Sequence, residues 1–276
     1  MGEVIVITGL AQGMGKEVAI MLAKSGDSIA GFDMDAQSIE ALRQELDTIG
    51  GTHYLETLDI KDRKGVSVFR DKVLAKFGKV DTVLSNVGIG FFGPFEEVDL
   101  EAAKNCFEIN VLGASAIFQA FIPCMREQRK GKLVAMSSLV GQVPFPFESI
   151  YSATKFAIEG LVQSIQFEVK PFGIKMAIIQ PAQVSTNFAS EIHQVPPEGS
   201  PYRERAKRFI DRDNELIKGS TTPSDAAKKI LKVLKSDNPK LHNQVDFMST
   251  FFLFLNRNLP KGIRDMILLN HMDIKV

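Results

Sequence analysis

A chain of 276 residues, 45% of them hydrophobic and with no composition shift to mark a linker, reads as one domain over residues 1–276 with a sizeable core. Its 33 basic and 33 acidic residues cancel, which argues against a nucleic-acid surface as its main business. The two cysteines, Cys106 and Cys124, fall on one predicted helix about 27 Å apart; they cannot pair and read as buried thiols of a reducing compartment, taken here as the cytoplasm.

The opening residues lack a charged leader, so no signal peptide is expected. Residues 3–8 (Glu-Val-Ile-Val-Ile-Thr) form the β-branched run of a strand buried on both faces of a parallel sheet. Gly9-Leu-Ala-Gln-Gly-Met-Gly15-Lys follows, and then a helical pattern through Val18, Ala19, Met21, Leu22 and Ala23. Glycines in such a turn let backbone approach a diphosphate, whose charge meets the amides and dipole of the helix N-terminus. An ordinary tight turn accounts for the glycine trio equally well when it is taken alone.

A second strand, 28–32, ends in Asp33, placed to accept from both ribose hydroxyls of an adenosine and to repel a 2′-phosphate. Neither Gln12 nor Met34 supplies a cation for such a phosphate, which favours NAD over NADP; a solvated strand-end aspartate is the plainer alternative. Helix 36–49, strand 53–58 with Asp59 at its end, helix 63–77 and strand 82–85 continue the alternation. That alternation predicts an α/β fold with a doubly wound parallel sheet, a Rossmann-type three-layer αβα sandwich. Asp59 and the loop Ser85-Asn86-Val87-Gly88 then fall at the carboxyl edge, where such sheets bind ligands. Phe91, Phe92, Pro94 and Phe95 follow, as plain packing or as a pocket wall.

Residues 99–125 predict a long helix that contains Asn110, a residue that satisfies a buried backbone group there or holds a water. Strand 132–137 leads to Ser138, whose hydroxyl could donate to an oxygen that gains charge. Tyr151 and Lys155 stand four apart at the start of the next helix, so both leave one face. A cation about 5 Å away at an effective dielectric near 20 supplies about 3 kcal/mol, enough to bring a phenol most of the way to neutral pH. A chance pair on a solvated face is the rival for that tetrapeptide alone.

The helix runs on through Phe156, Ile158, Leu161, Val162, Ile165 and Phe167, apolar nearly all round, which points to a homodimer or homotetramer. Strand 174–179 ends in Gln180-Pro181-Ala-Gln-Val184-Ser-Thr186, and residues 187–220 form a helical excursion that reads as a lid. Thr222-Pro-Ser-Asp225 caps another helix. The apolar C-terminal segment, about 246–276, has its most hydrophobic part at 247–255, too short to span a bilayer; a core or subunit contact is favoured over a membrane surface. His53, His193, His242 and His271 lack ligand spacing, and no metal site is expected.

Taken together in order and spacing, these motifs resemble the short-chain dehydrogenase/reductase family over nearly all of the first 190 residues. The resemblance implies a catalytic tetrad of Asn110, Ser138, Tyr151 and Lys155. It implies NAD contacts at Thr8, Gly9, Gln12, Gly13, Met14, Gly15, Asp33, Met34, Asp59, Ile60, Asn86, Val87, Gly88, Tyr151, Lys155, Pro181, Val184 and Thr186. Ser85, Val87 and Ala182 depart from the family pattern, and Ala182 replaces a glycine beside the nicotinamide, a cost if that position needs a positive φ. Leu139, Val143, Phe145, Phe147, Phe91, Phe92 and Phe188 suggest a bulky hydrophobic secondary alcohol or ketone rather than a sugar. The alternatives are a catalytically silent NAD(H)-binding interaction protein and a peripheral membrane reductase that takes lipid-like ketones through the C-terminal segment.

Overall fold

A computed structural model of the protein describes residues 2–185 and 195–274. The strands are β1 (Val4–Thr8), β2 (Ser28–Asp33), β3 (Tyr54–Thr57), β4 (Thr82–Ser85), β5 (Gly131–Met136), β6 (Ile174–Gln180) and β7 (His242–Gln244). They form one sheet in the order β3-β2-β1-β4-β5-β6-β7, and every pairing is parallel. The chain winds outward from β1 to β3, crosses back to β4 and winds the other way, so the order reverses between β1 and β4. The crevice at such a reversal is where ligands of open α/β sheets lie.

Five helices fill the two faces early in the chain: α1 (Gly13–Lys24), α2 (Ala36–Ile49), α3 (Arg63–Phe77), α4 (Leu100–Phe107) and α5 (Ala114–Gln128). Later come α6 (Ser149–Val169), α7 (Arg203–Lys218), α8 (Pro223–Lys235), α9 (Phe247–Asn258) and α10 (Lys261–His271). Side-chain caps fix several starts: Asp35 accepts from Gln37 and Ser38 amides, Asp62 from Gly65, Asp99 from Glu101, and Thr222 from Asp225. One apolar core lies between the sheet and α3, α5 and α6, and a second between the sheet and α1, α2 and α8. The three layers and the parallel sheet are those expected.

Two details differ from expectation, and two more bear on the apolar helices. The sequence predicts six strands and the sheet has seven: β7 is three polar, half-buried residues that extend the edge from β6, so it carries none of the apolar signal of a strand. The predicted helix 99–125 contains a π turn at Glu108–Gly113, between α4 and α5, and Asn110 sits in it. Leu100–Gln128 is long and apolar enough by composition to cross a membrane, but Ile117, Phe118, Phe121 and Met125 are packed in the sheet-side core. The C-terminal segment folds back on its own domain: Phe252, Leu253, Leu255, Leu268 and Met272 are buried with Leu139, Val143 and Phe209 in a third cluster.

Of the predicted lid, α7 is packed through Ala206, Phe209 and Ile210. Phe188 and Thr186 lie outside the described residues.

Candidate active site

The glycine turn between β1 and α1 is dictated by contact as well as by conformation. Gly9 and Gly13 take φ of 65° and 51°, where an L side chain is strained. A Cβ on Gly15 would stand 2.2 Å from Gly9 O and 2.7 Å from Asn86 Nδ2, so only glycine lets α1 begin against the turn. Gln12, at the N-cap, makes no side-chain capping bond, which leaves the first-turn amides of α1 open for an anion. Asn86 Nδ2 donates to Gly9 O at 2.9 Å, and the amides of Asn86 and Val87 both donate to Thr8 Oγ1, at 3.0 and 3.2 Å. Thr8 is fully buried and holds the two loops together from behind.

At one end of the crevice Asp33 Oδ2 accepts from the Ala11 amide and Oδ1 from the Asp35 amide, which fixes the carboxylate at the tip of β2. Asp59 accepts from the Lys61 amide beyond β3. Fifteen of the residues that the resemblance assigns to the cofactor line one cavity of about 630 Å³: Gly9, Gln12, Gly13, Met14, Asp33, Met34, Asp59, Ile60, Asn86, Val87, Gly88, Tyr151, Lys155, Pro181 and Val184. Thr8 and Gly15 stand behind its wall and shape it. Thr186 lies outside the described residues. Narrow glycine backbone, open helix amides and an acidic residue at the strand tip suit a dinucleotide.

Ser138, Tyr151 and Lys155 line the same cavity. Ser138 follows β5, starts a short turn by accepting from the Val140 amide, and its Oγ lies 3.3 Å from Pro181 O. Its hydroxyl is also hydrogen-bonded to the Tyr151 phenol. Lys155 Nζ donates to Met136 O at 2.9 Å and sits 5.5 Å from the centroid of the Tyr151 ring. Four-residue helical spacing therefore brings the phenol and the ammonium together.

Burial works against the expected electrostatic balance. Burial pushes the Tyr151 phenol well above its ordinary value, the charge of Glu148 adds to the rise, and the Ser138 hydrogen bond opposes it. Burial also lowers Lys155 to about 8, against the smaller pull of Cys106 and Glu159. Burial is the largest influence on the phenol and acts against the lowering expected from Lys155.

Asn110 is 2% exposed and does not line the cavity. Its Oδ1 accepts from the Ile89 amide and its Nδ2 donates to Ile89 O, both at 2.8 Å, and Nδ2 also lies 3.0 Å from Thr154 Oγ1. Of the two roles open to it in the sequence, these bonds are those of a residue that satisfies buried backbone. Ala182 keeps an ordinary φ, since the non-glycine residues of positive φ among those described are Arg129, Phe147 and Asp273. The Ala182 amide donates to Asp246 Oδ2 at 2.7 Å, which ties the segment after β6 to the start of α9.

Beyond the catalytic groups the cavity widens between Leu139, Phe145, Ala182, Ile217, Met248 and Phe252. Phe91, Phe92, Val143 and Phe147 do not line it; Phe92 packs 5.8 Å from Phe147 and 5.5 Å from Phe209, ring to ring, in the third core cluster. Glu148, Gln183, Asp213 and His271 also reach the cavity and were missed. Glu148 lies three residues before Tyr151 and Gln183 stands between Pro181 and Val184, so both carry a local signal; Asp213 and His271 arrive from elements far along the chain. No group of three or more His, Cys, Asp or Glu able to hold a metal is found among the described residues.

Residues 3–196 match the family profile described as short chain dehydrogenase. The chain is 30% identical over 203 residues to the dehydrogenase/reductase SDR family member 7B of Mus musculus, a match that covers 72% of this chain and 62% of that one. It is 30% identical over 272 residues to the 17-beta-hydroxysteroid dehydrogenase type 1 of Mus musculus, with 93% of this chain and 75% of that one covered. A short-chain dehydrogenase structure from Streptomyces avermitilis superposes with a TM-score of 0.81 at 28% identity, over 99% of this chain and 96% of that one.

Proposed function

From the premise that this chain is an oxidoreductase of the short-chain dehydrogenase/reductase family, we propose that it moves a hydride between NAD(H) and a bulky hydrophobic secondary alcohol or ketone. The observation that carries this reading is the meeting of Ser138, Tyr151 and Lys155 with the glycine cradle in one cavity.

Bound NAD(H) supplies the hydride acceptor or donor. The chain's own residues handle the proton and the orientation. Tyr151 Oη takes the hydroxyl proton in oxidation and returns it in reduction, while Ser138 Oγ donates to the substrate oxygen as charge develops there. Lys155, still largely cationic at pH 7 with its value near 8, offsets part of the burial penalty on the phenolate. Asn110 holds the Ile89 backbone, so the loop after β4 keeps its place against α6. The hydroxysteroid in the relative's name agrees in character with a wall of Leu139, Phe145, Met248 and Phe252. A panel of hydrophobic secondary alcohols, followed by NAD⁺ reduction, tests the reading; no turnover of any member would leave a nucleotide-binding protein without this activity.

Preference for NAD rests on Asp33. Among the described lining residues of the adenosine end, Gln12, Asp33, Met34 and Asp35, none is cationic, so a 2′-phosphate would meet uncompensated negative charge. Asp33→Ala should weaken NADH binding about tenfold or more, the worth of a hydrogen bond to a charged group, and raise the relative preference for NADPH. Fluorescence titration with both nucleotides measures it, and an unchanged ratio would remove Asp33 from this role.

Self-association is the natural use of the outward face of α4, the π turn and α6. Phe107, Leu112, Phe156 and Phe167 are exposed there, on adjoining helices. We expect a dimer built on that face, and Phe156→Glu should shift it to monomer in sedimentation velocity with little change in secondary structure. Cys106 and Cys124 are free thiols, in keeping with the reducing, cytoplasmic setting proposed for the enzyme.

A further inference from the structure

The cavity and the cofactor cradle leave one buried acid of α6 without a part in the chemistry. Glu159 lies one helical turn beyond Lys155, on the same face, and the two residues are 3% and 4% exposed. Three elements hold its carboxylate. Oε1 accepts from Gln180 Nε2 of β6 at 2.9 Å, Oε2 accepts from Gln142 Nε2 of the turn after β5 at 3.3 Å, and His242 Nδ1 of β7 lies 3.3 Å from Oε2. Gln180 is fixed in turn, its Oε1 accepting from Gln244 Nε2 at 2.8 Å. A Cβ on Gly141 would stand 3.1 Å from Glu159 Cγ and 3.1 Å from Lys155 O, so that turn packs directly against the stretch of α6 that carries both charges.

An ammonium out of water needs an anion to stay charged. Lys155 Nζ is held instead by a neutral group, the Met136 carbonyl. Burial is the largest influence on it, while Cys106 and Glu159 pull the other way. Burial also pushes the Cys106 thiol up to about 11, so that group is neutral where Lys155 titrates, and Glu159 is the anion of the two. The other titratable or charged groups around them are Tyr151, Glu148, Asp213 and His271 on the active-site cavity, and His242 and Arg257, which line a second, outer cavity with Gln142 and Glu159. A carboxylate fixed by hydrogen bonds in a dry interior acts beyond contact distance, because little water screens it.

Resting on the hydride-transfer reading above, we propose that Glu159 is a positioning residue that acts through Lys155: its clamped carboxylate keeps the ammonium charged beside the Tyr151 phenol. Gln142 and Gln180 serve it by holding the carboxylate in place without neutralising it.

Lysine isotope-labelled at Cε, with the Lys155 signal assigned by its loss in Lys155→Met, reads this directly in an NMR titration. Glu159→Gln keeps the size, and its amide can still accept from Gln180 Nε2 and turn its nitrogen to His242 Nδ1. The Lys155 midpoint should move down by about one pH unit, and Glu159→Met, a second neutral side chain of like length, should do the same. Glu159→Asp keeps the charge and should stay closer to the wild type than either. Cys106→Ser should leave the midpoint in place. A clamp that served stability alone would lower Tm in the Glu159 variants and leave the Lys155 midpoint unmoved; that result, or an equal shift in Glu159→Asp, would overturn the proposal. In turnover, the alkaline fall of kcat/KM for a hydrophobic alcohol with NAD⁺ should move down with the midpoint. A shifted midpoint in a protein that turns over no alcohol would sink the hydride transfer and keep the coupling of Glu159 to Lys155; turnover with an unmoved midpoint would do the reverse.

Discussion

Tyr151→Phe should lower kcat at least about a thousandfold while NADH affinity stays within about twofold, because one oxygen is removed and the cavity keeps its shape. The phenol is the only described group on the lining that is hydrogen-bonded to Ser138 and also stands beside Lys155. Water cannot readily stand in for it: burial is the main force on the phenol, and a solvent molecule there would be as poorly stabilised as a base. Loss of the Ser138 hydrogen bond costs about 1 kcal/mol of stability, too little to unfold the domain, so the fall in rate reads as chemistry. Stopped-flow hydride transfer and NADH fluorescence titration on the same preparation separate the two effects. Turnover equal to the wild type would remove Tyr151 from the proton path and the proposed mechanism with it.

The same phenol shows how far a sequence motif reaches. Spacing of four on a helix is enough to predict that Tyr151 and Lys155 share a face, since helix geometry is local. What the pair does depends on desolvation and on Glu148, and desolvation is a property of everything packed around the site. The coulombic effect of one cation could be sized from sequence; the opposing burial could not.

Local signals explain the other successes in the same way. The buried β-branched run of β1, the glycine turn and the alternation up to β6 each lie within a few residues of sequence, and the doubly wound sheet follows from them. β7 has no such signal: His242, Asn243 and Gln244 become a strand because β6 offers an open edge and α8 delivers the chain to it. Of the substrate wall, Leu139 and Phe145 are legible in the sequence and the rest is not, for a related reason. Phe91, Phe92 and Phe147 look like pocket residues by proximity in sequence, but Phe209 and the C-terminal helices draw Phe92 and Phe147 into their own cluster. Met248, Phe252 and His271 take the wall instead, from more than ninety positions beyond Tyr151. Their arrival depends on how α9 and α10 fold back, and Asp246 helps set that by bonding the Ala182 amide and capping α9 through the Ser249 amide.

Asn110→Leu should destabilise the folded protein by about 2–4 kcal/mol, with a fall in Tm on the order of 10 °C, as well as reducing activity. Leucine is close in size but can neither accept from the Ile89 amide nor donate to the Ile89 carbonyl, so two half-buried backbone groups lose their partners at once. Thr154 would feel the change too. Its Oγ1 lies 3.0 Å from Asn110 Nδ2 and donates to Tyr151 O at 2.7 Å, so Asn110 links the loop after β4 to the turn of α6 that carries the phenol. A wider π turn at this point lets an otherwise unfavourable helix residue reach both loops. If Asn110 instead served only to hold a water in a proton path, the variant would lose kcat and keep its Tm. Thermal unfolding beside steady-state kinetics decides it: an unchanged Tm with slowed turnover would reject the anchoring role. A lowered Tm with weakened NADH binding would be the mark of a residue that keeps Gly88 and Ile89 in place.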